Sequence, residues 1–180
     1  MPTVLVPLAL GFEELEAVTV IDLLRRGGVE VVVAGVDAGP VTASRRVTVV
    51  PDVGLNDVLA ADFDMVVLPG GIGAQRLEAD ERIARLLQRQ QAAGRYAAAI
   101  CAAPRVLAAA GLLEGRTATA YPGTLDGVAG VRVSSQAVVQ DGRIITSRGP
   151  GTAMDFALTL VEVLCGRDKR NEVEKGLQRG

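Results

Sequence analysis

The sequence predicts an α/β fold in which a mostly parallel, doubly wound sheet lies between layers of helices. Short runs rich in Val, Ile and Ala alternate with segments of helical periodicity. One run, residues 29–36, is almost continuously apolar, which is typical of a parallel strand buried on both faces. With 180 residues, 49% of them hydrophobic and 22% charged, the chain can build one core, and we predict a single domain over residues 1–180.

The first half of the chain begins with an apolar run over residues 4–8, which we interpret as a buried strand. A signal peptide is not expected there, because no basic residue occurs before Arg25. A helix is predicted over residues 13–26, where glycines close it, and the strand over 29–36 follows. The other elements predicted in this half are a hairpin over 41–50, a buried strand over 65–68 and an amphipathic helix over 80–93.

The second half begins with a predicted strand over residues 96–100 that runs directly into Cys101. A short helix over residues 104–110 ends at a glycine. The Asp-Gly pair at 141–142 is a strong hairpin signal between two β-rich runs. The remaining predictions are a strand over 117–120, an apolar helix over 152–164 and a charged, helical tail from residue 167.

The composition excludes several kinds of site. The chain has no histidine, so it cannot contain a Ser-His-Asp triad, a Cys-His pair or a His-ligated metal. Its two cysteines, Cys101 and Cys165, are too few for a disulfide scaffold, and we expect a reducing cytoplasm and no metal or organic cofactor. A net charge of −2 offers no basic field for nucleic acid, and no uncharged apolar run reaches transmembrane length.

Cys101 lies where a predicted strand turns sharply into a predicted helix, which is the layout of a nucleophile elbow. Alanines on both sides leave room for a tight turn, and Pro104 suits the first turn of a helix. Free N–H groups and the helix dipole would stabilise a thiolate, so we predict a nucleophile of lowered pKa. The alternative, a small buried hydrophobic residue, is preferred only for Cys165, which ends an apolar helix.

Glu16 is a carboxylate on the apolar face of the first predicted helix. Its neighbours on that face are Phe12, Val20 and Leu23. No Lys or Arg occurs three or four residues away, so burial would raise its pKa and keep it protonated. A protonated carboxyl could hydrogen-bond a thiolate or act as a general acid and base. A solvated glutamate at the helix start is equally compatible with the pattern, and that interpretation is preferred for Glu13 and Glu14.

Two glycine-containing segments follow predicted strands. Gly70 and Gly71 could form an ordinary turn, or could direct a backbone N–H toward Cys101 and form an oxyanion site with the N–H of Ala102. The segment at 149–151, which contains Pro150, could shape the floor of a pocket or make a tight turn before a helix. Neither resembles a phosphate loop, since the sequence has no GxxxxGK[ST] or GxGxxG pattern.

Four motifs in order resemble the ThiJ/PfpI superfamily, most closely the branch of Parkinson disease protein 7 and its bacterial YajL-like relatives. They are Gly-Phe-Glu-Glu-Leu-Glu at 11–16, Leu-Pro-Gly-Gly at 68–71, Ala-Ile-Cys-Ala-Ala-Pro at 99–104 and Thr-Ser-Arg-Gly-Pro-Gly-Thr at 146–152. The resemblance implies a flavodoxin-like sandwich and a homodimer. It also implies that Cys101 is the reactive nucleophile and that Glu16 is the protonated carboxyl beside it, with Gly71 and Ala102 as oxyanion donors.

The sequence departs from some relatives at positions that matter for chemistry. Tyr121 occupies a position where some relatives have a histidine, and Ala102 stands where the protease-type branch has one, so peptidase activity is not expected. Two cysteines of the human relative correspond to Ala43 and Val50. From the residues alone Arg45 is a solvated charge at a hairpin bend, whereas the resemblance places it near the dimer interface and the partner's site.

The expected function is cofactor-free, cysteine-dependent removal of reactive dicarbonyls. Methylglyoxal or glyoxal would be converted to lactate or glycolate without glutathione, or removed from glycated groups by a deglycase reaction. The alternative is a sensor of oxidative stress and redox-regulated chaperone, in which Cys101 oxidises to a sulfinate. The expected pocket consists of Gly70, Tyr121, Pro150 and Arg45 around the catalytic pair, with a small dicarbonyl as ligand and neither nucleic acid nor membrane as a partner.

Overall fold

A seven-stranded sheet forms the middle layer of the computed structural model, which describes residues 1–179. Its strand order is β10-β11-β7-β6-β1-β2-β5, and every neighbouring pair is parallel except β10 and β11. The strands of this sheet are β1 (Thr3–Leu8), β2 (Glu30–Gly35), β5 (Val53–Gly54), β6 (Met65–Leu68), β7 (Tyr96–Ile100), β10 (Val138–Asp141) and β11 (Ile144–Ser147). The predicted mostly parallel sheet is confirmed.

Two short ribbons accompany the main sheet. An antiparallel pair joins β3 (Val41–Thr42) to β4 (Thr48–Val49), which confirms the predicted hairpin. A parallel pair joins β8 (Thr117–Ala118) to β9 (Arg132–Val133). The strand predicted over 117–120 is therefore shorter than expected and lies outside the main sheet, because Thr119 instead donates its backbone N–H to the Thr146 hydroxyl at 2.9 Å.

Helices cover both faces of the sheet. They are α1 (Glu14–Arg26), α2 (Leu55–Val58), α3 (Gly73–Ala79), α4 (Glu81–Ala92), α5 (Pro104–Ala109), α6 (Ala153–Cys165) and α7 (Arg167–Gly176), with a 3-10 turn at Pro150–Thr152. Short α2, α3, β5 and β9 were not predicted, since two to seven residues carry too little periodicity to detect. No helix within residues 1–179 is long and apolar enough to cross a membrane.

The sheet separates two hydrophobic cores. On one face α1 and α6 pack side by side, with Phe12, Val20 and Phe156 buried between them and the strands. On the other face α3, α4 and α5 bury Leu77, Leu87 and similar side chains. Alternate residues of each central strand face the two cores, which explains why these strands are apolar on both sides.

The carboxyl ends of β1, β6 and β7 lie at the same edge because these strands are parallel neighbours. Loops that leave this edge carry the start of α1, the two glycines after β6 and Cys101 after β7. An isolated bridge between Phe12 and Gly71 joins the first two loops. Ligands of open α/β sheets bind at such edges, so the topology itself brings the predicted site residues together.

Candidate active site

Cys101 adopts a left-handed backbone conformation, with φ of +63°. This region is uncommon for residues other than glycine, and such strain is often found at functional sites. Two backbone hydrogen bonds hold the residue: its N–H donates to the Ser147 carbonyl at 2.9 Å, and its carbonyl accepts from the Tyr121 N–H at 2.8 Å. The predicted nucleophile elbow is therefore present, and neighbouring chain segments fix its geometry.

Glu16 lies in the first turn of α1 and is fully buried, with 0% of its surface exposed. Its Oε2 accepts a hydrogen bond from the Gly70 N–H at 2.8 Å. Within residues 1–179, Oε1 has no partner with ordinary hydrogen-bond geometry. Burial raises the pKa of Glu16 to about 7, partly offset by hydrogen bonds from Gly70 and Cys101. Of the two interpretations that the sequence left open for Glu16, the buried one holds.

The Cys101 thiol differs from the prediction of a lowered pKa. Burial, the charge of Glu16 and a hydrogen bond to its carboxylate together raise the pKa of Cys101 to about 12. The backbone N–H groups of Gly71 and Ala102 act in the opposite direction but do not outweigh them. The sequence argument counted only the groups that favour a thiolate. It treated Glu16 as a protonated donor and did not include the repulsion between an ionised Glu16 and a thiolate.

Cys101 and Glu16 therefore behave as one coupled pair. Glu16 gives up its proton near pH 7 and Cys101 only near 12, so the pair holds two protons below neutral pH and one proton, on sulfur, above it. Because the two side chains are neighbours, that proton can cross from sulfur to carboxylate. The product of this transfer is a thiolate beside a neutral carboxyl, with the Gly71 and Ala102 N–H groups directed at the sulfur.

Gly70 and Gly71 are fitted closely into the site. A Cβ at position 70 would lie 2.6 Å from the Cys101 Cβ and 2.7 Å from Glu16 Oε2, distances that no side chain can tolerate. Gly71 has φ of +80°, and a Cβ there would lie 2.5 Å from the Gly11 carbonyl oxygen. The turn after β6 is therefore more than an ordinary end of a strand, because it packs tightly against α1 and the elbow.

The three other predicted pocket residues lie around this centre at different distances. Tyr121, 55% exposed, is connected to Cys101 through its backbone N–H. Pro150 begins the 3-10 turn that follows β11, the strand paired with β7. Arg45 lies on the hairpin between β3 and β4 and forms no hydrogen bond or salt bridge with Cys101 or Glu16 in the described part of the chain. Its placement near a partner's site stays a prediction.

Glu13 and Glu14 have structural roles that the sequence did not reveal. Glu13 is the N-cap of α1 and accepts the Glu16 N–H at 2.7 Å, which fixes the turn that carries the buried carboxyl. Glu14 accepts the Ser44 hydroxyl at 2.9 Å and the Arg45 N–H at 2.7 Å. The β3–β4 hairpin is thereby attached to the helix that supplies Glu16.

A hydroxyl network supports the opposite side of the elbow. Ser147, whose carbonyl holds the Cys101 N–H, is buried, and its Oγ lies 2.7 Å from Thr152 Oγ1. Thr152 also bonds both the N–H and the carbonyl of Gly149, at 3.2 and 3.0 Å. The Ser147 hydroxyl at the end of an apolar strand, followed by the Thr152 hydroxyl, was the signal that could have predicted this support. Cys165 lies apart from the site, half-buried at the end of α6, as expected.

No group of three or more Cys, Asp or Glu side chains within residues 1–179 is placed to hold a metal ion.

Residues 2–163 match the DJ-1/PfpI family. The chain belongs to the DJ-1/PfpI family. Protein dj-1beta of Drosophila melanogaster is 45% identical over 177 residues, which cover 96% of this chain and 95% of that protein. The crystal structure of Drosophila DJ-1beta matches with a TM-score of 0.96 and 43% identity, covering 99% and 98% of the two chains.

Two other family members bear on the chemistry. The glutathione-independent glyoxalase DJR-1.2 of Caenorhabditis elegans is 40% identical over 167 residues, covering 92% of this chain and 89% of that protein. A structure described as oxidized DJ-1 from Toxoplasma gondii matches with a TM-score of 0.95 and 39% identity, and covers 98% of each chain. The family membership and the flavodoxin-like fold that the four motifs implied are confirmed.

Proposed function

We propose that this protein is a glutathione-independent glyoxalase that converts methylglyoxal to lactate and glyoxal to glycolate. The observation that carries the proposal is the coupled pair of Cys101 and Glu16, which shares one proton beneath two backbone N–H donors. The relative from C. elegans that is named for this activity supports the choice of reaction. Deglycation of methylglyoxal adducts would use the same addition of sulfur to a carbonyl-derived carbon.

The reaction begins with proton transfer from the Cys101 thiol to Glu16. The resulting thiolate adds to the aldehyde carbon and forms a carbon–sulfur bond, while the carbonyl electron pair moves to oxygen. The Gly71 and Ala102 N–H groups stabilise this developing alkoxide, and Glu16 returns its proton to it to give a hemithioacetal. Losing one such donor typically lowers the rate about a hundred- to a thousand-fold.

The second stage moves hydrogen between the two carbons of the dicarbonyl. The Glu16 carboxylate removes the proton from the former aldehyde carbon, and the electron pair forms a carbon–carbon double bond, which gives an enediolate with its charge on the former ketone oxygen. Glu16 then protonates the former ketone carbon, and the remaining hydroxyl proton passes from the first oxygen to the second, which leaves a thioester of the 2-hydroxy acid on Cys101. Water hydrolyses the thioester and restores the thiol. A carboxyl whose pKa lies near 7 suits both proton removal and proton delivery at neutral pH.

The test is lactate formation from methylglyoxal by purified protein without glutathione. Cys101→Ser and Glu16→Gln should each reduce kcat/KM at least about a hundred-fold, while Cys165→Ser, which removes the other thiol, should retain full activity. Wild-type protein that is fully reduced at Cys101 but produces no lactate would refute the proposal. Full turnover by Cys101→Ser would refute the role of the cysteine.

A second candidate function, oxidation sensing with redox-dependent chaperone activity, is favoured by the surroundings of the sulfur. The same N–H groups and the protonated Glu16 carboxyl would donate hydrogen bonds to the oxygens of a sulfinate. The oxidized Toxoplasma relative supports this possibility. Mild peroxide should then add two oxygens to Cys101 alone, measured by intact and peptide mass, and Glu16→Gln should change the yield of that species.

We further propose that the protein is a homodimer, as the resemblance implied. Apolar side chains are exposed on α1 and on the loops next to it: Leu10, Leu15, Val18, Val47 and Ile72. Ile72 contacts Gly11 and the hairpin is bonded to Gly11 and Phe12, so these residues share one side of the molecule. Light scattering during size exclusion should give twice the 18.7 kDa chain mass, and Val18→Glu should give a monomer. We also propose that the protein is located in the cytoplasm.

A further inference from the structure

A groove lies next to two segments whose backbones are hydrogen-bonded to Cys101, around Tyr121 and around Arg148. It consists of two adjoining cavities of about 300 and 370 Å³, which share Tyr121, Pro122 and Arg148. We name it the Arg148 groove. Each cavity has the volume of a small organic ligand pocket, and together they exceed what a three-carbon dicarbonyl requires.

The groove is connected to the reactive cysteine through the backbone. Tyr121 donates its N–H to the Cys101 carbonyl at 2.8 Å. Arg148 directly follows Ser147, whose carbonyl accepts the Cys101 N–H at 2.9 Å. The backbone bonds of the elbow therefore fix the positions of Tyr121 and of the residue that precedes Arg148.

Arg148 carries a positive charge on an exposed side chain. Its guanidinium donates one long hydrogen bond, from Nη1 to the Ser135 carbonyl at 3.3 Å. Within residues 1–179 it forms no salt bridge, although Asp126 lines one of the two cavities. Most of its N–H donors are directed to solvent on an exposed side chain. A planar guanidinium with free donors is suited to a carboxylate, which it can bind with two parallel hydrogen bonds.

We propose that the Arg148 groove binds a carboxylate carried by the substrate, so that the substrates of this site are α-oxoaldehydes with an acidic substituent. The inference rests on the proposed glyoxalase reaction and specifies its substrate class. The exposed ring of Tyr121 covers the carbon chain between the two ends, and Arg148 binds the distal acid. The aldehyde carbon is oxidised as the adjacent ketone carbon is reduced, water releases the product, and no external oxidant is needed.

The test compares 4,5-dioxopentanoate with its methyl ester, which differ in the negative charge. Wild type should form 2-hydroxyglutarate with a kcat/KM roughly tenfold above that for the ester. Arg148→Gln should bring this ratio close to one, and Arg148→Lys should preserve part of it. Arg143→Gln is the matched control, because Arg143 precedes the same strand β11 that Arg148 follows, and it should leave the ratio unchanged. An equal ratio in wild type and Arg148→Gln would overturn the inference.

Binding of 4-oxopentanoate, which lacks the aldehyde, separates this inference from the proposed reaction. Chemical-shift titration should show that wild type binds the acid more tightly than its methyl ester, and that Arg148→Gln loses this preference. If wild type binds in this way but does not convert methylglyoxal, the glyoxalase proposal fails and the carboxylate subsite stands. If wild type converts methylglyoxal without preferring either acid over its ester, the subsite is wrong and the reaction stands.

Discussion

The backbone N–H of Gly70 donates to Oε2 of Glu16 at 2.8 Å, and the two residues are too close for any side chain at position 70. This contact links the loop after β6 to the first helix, directly beneath Cys101. It fixes Oε2 of the buried carboxyl, whereas Oε1 accepts no hydrogen bond from the part of the chain that the structure describes. The geometry of the coupled pair thus depends on a residue with no side chain.

Replacing Gly70 with alanine should therefore damage both stability and activity. The new Cβ would meet the Cys101 Cβ at 2.6 Å, so α1 or the elbow must shift. We expect a loss of about 1–3 kcal/mol in the free energy of unfolding, together with a loss of lactate formation. Gly176→Ala is the control for chemical denaturation, since that glycine, like Gly70, lies outside the positive-φ region but has open space around it. Equal effects at the two positions would argue against close packing at Gly70.

Glu16 should make the stability of the protein depend on pH. Its pKa rises from 4.5 to about 7 on folding, so the folded state favours the protonated form. The associated stability is complete below pH 4.5 and is lost as pH rises through about 7. Glu16→Gln, which stays neutral, should match wild type near pH 4.5 and exceed it by about 3 kcal/mol at pH 8. Urea denaturation across this range measures the difference.

The control for this titration is Glu30→Gln, which changes an exposed carboxylate at the start of β2. Its stability should follow that of wild type at every pH. If the difference between Glu16→Gln and wild type did not change between pH 5 and 8, the pKa of Glu16 would lie near its ordinary value, and the coupled pair would be wrong.

The left-handed conformation of Cys101 can be tested by comparing two variants that both lack the sulfur. Glycine accepts φ of +63° without steric cost, whereas alanine does not. Cys101→Gly should therefore be more stable than Cys101→Ala by about 1 kcal/mol, despite the greater flexibility of glycine in the unfolded chain. Thermal denaturation of the two proteins measures this directly. A more stable alanine variant would show that the elbow relaxes once the thiol is removed.

Removing the Glu14 carboxylate should release the hairpin from α1. Its two oxygens bind the Ser44 hydroxyl and the Arg45 N–H, and they are the side-chain contacts that join these elements there. In Glu14→Ala we expect amide hydrogen exchange at Arg45 to accelerate at least about tenfold. Exchange in β1 should not change, and it serves as the internal reference. Unchanged exchange at Arg45 would mean that the backbone bonds of the hairpin hold it without Glu14.

The hydrogen bonds of Thr152 to Ser147 and Gly149 should contribute to the stability of the protein. Thr152→Val retains the shape of the side chain but loses its hydrogen bonds to Ser147 and Gly149. We expect a cost of about 1–3 kcal/mol in the free energy of unfolding. Thr159→Val is the control, since the Thr159 hydroxyl bonds a carbonyl on an exposed part of α6. A Thr152 variant as stable as the Thr159 variant would refute the structural role of the network.

Much of this protein could be predicted from the sequence because strand and helix periodicities are local properties. The buried strand before Cys101, the hairpin at Asp141 and Gly142, and the apolar face that carries Glu16 all follow from residues close together in the chain. Composition was equally informative, since the absence of histidine restricts the chemistry to cysteine, carboxylates and backbone groups. The order of four motifs then identified the family.

Only the tertiary structure decided how these parts act together. The pKa of Cys101 is raised and not lowered, because parallel strands bring the carboxylate of Glu16 against the sulfur from a distant segment. The same folding places Glu14 where it holds the hairpin, and among residues 1–179 it gives Arg148 no salt-bridge partner. Such effects depend on distance and burial through space, and those quantities exist only once the sheet has aligned its strand ends.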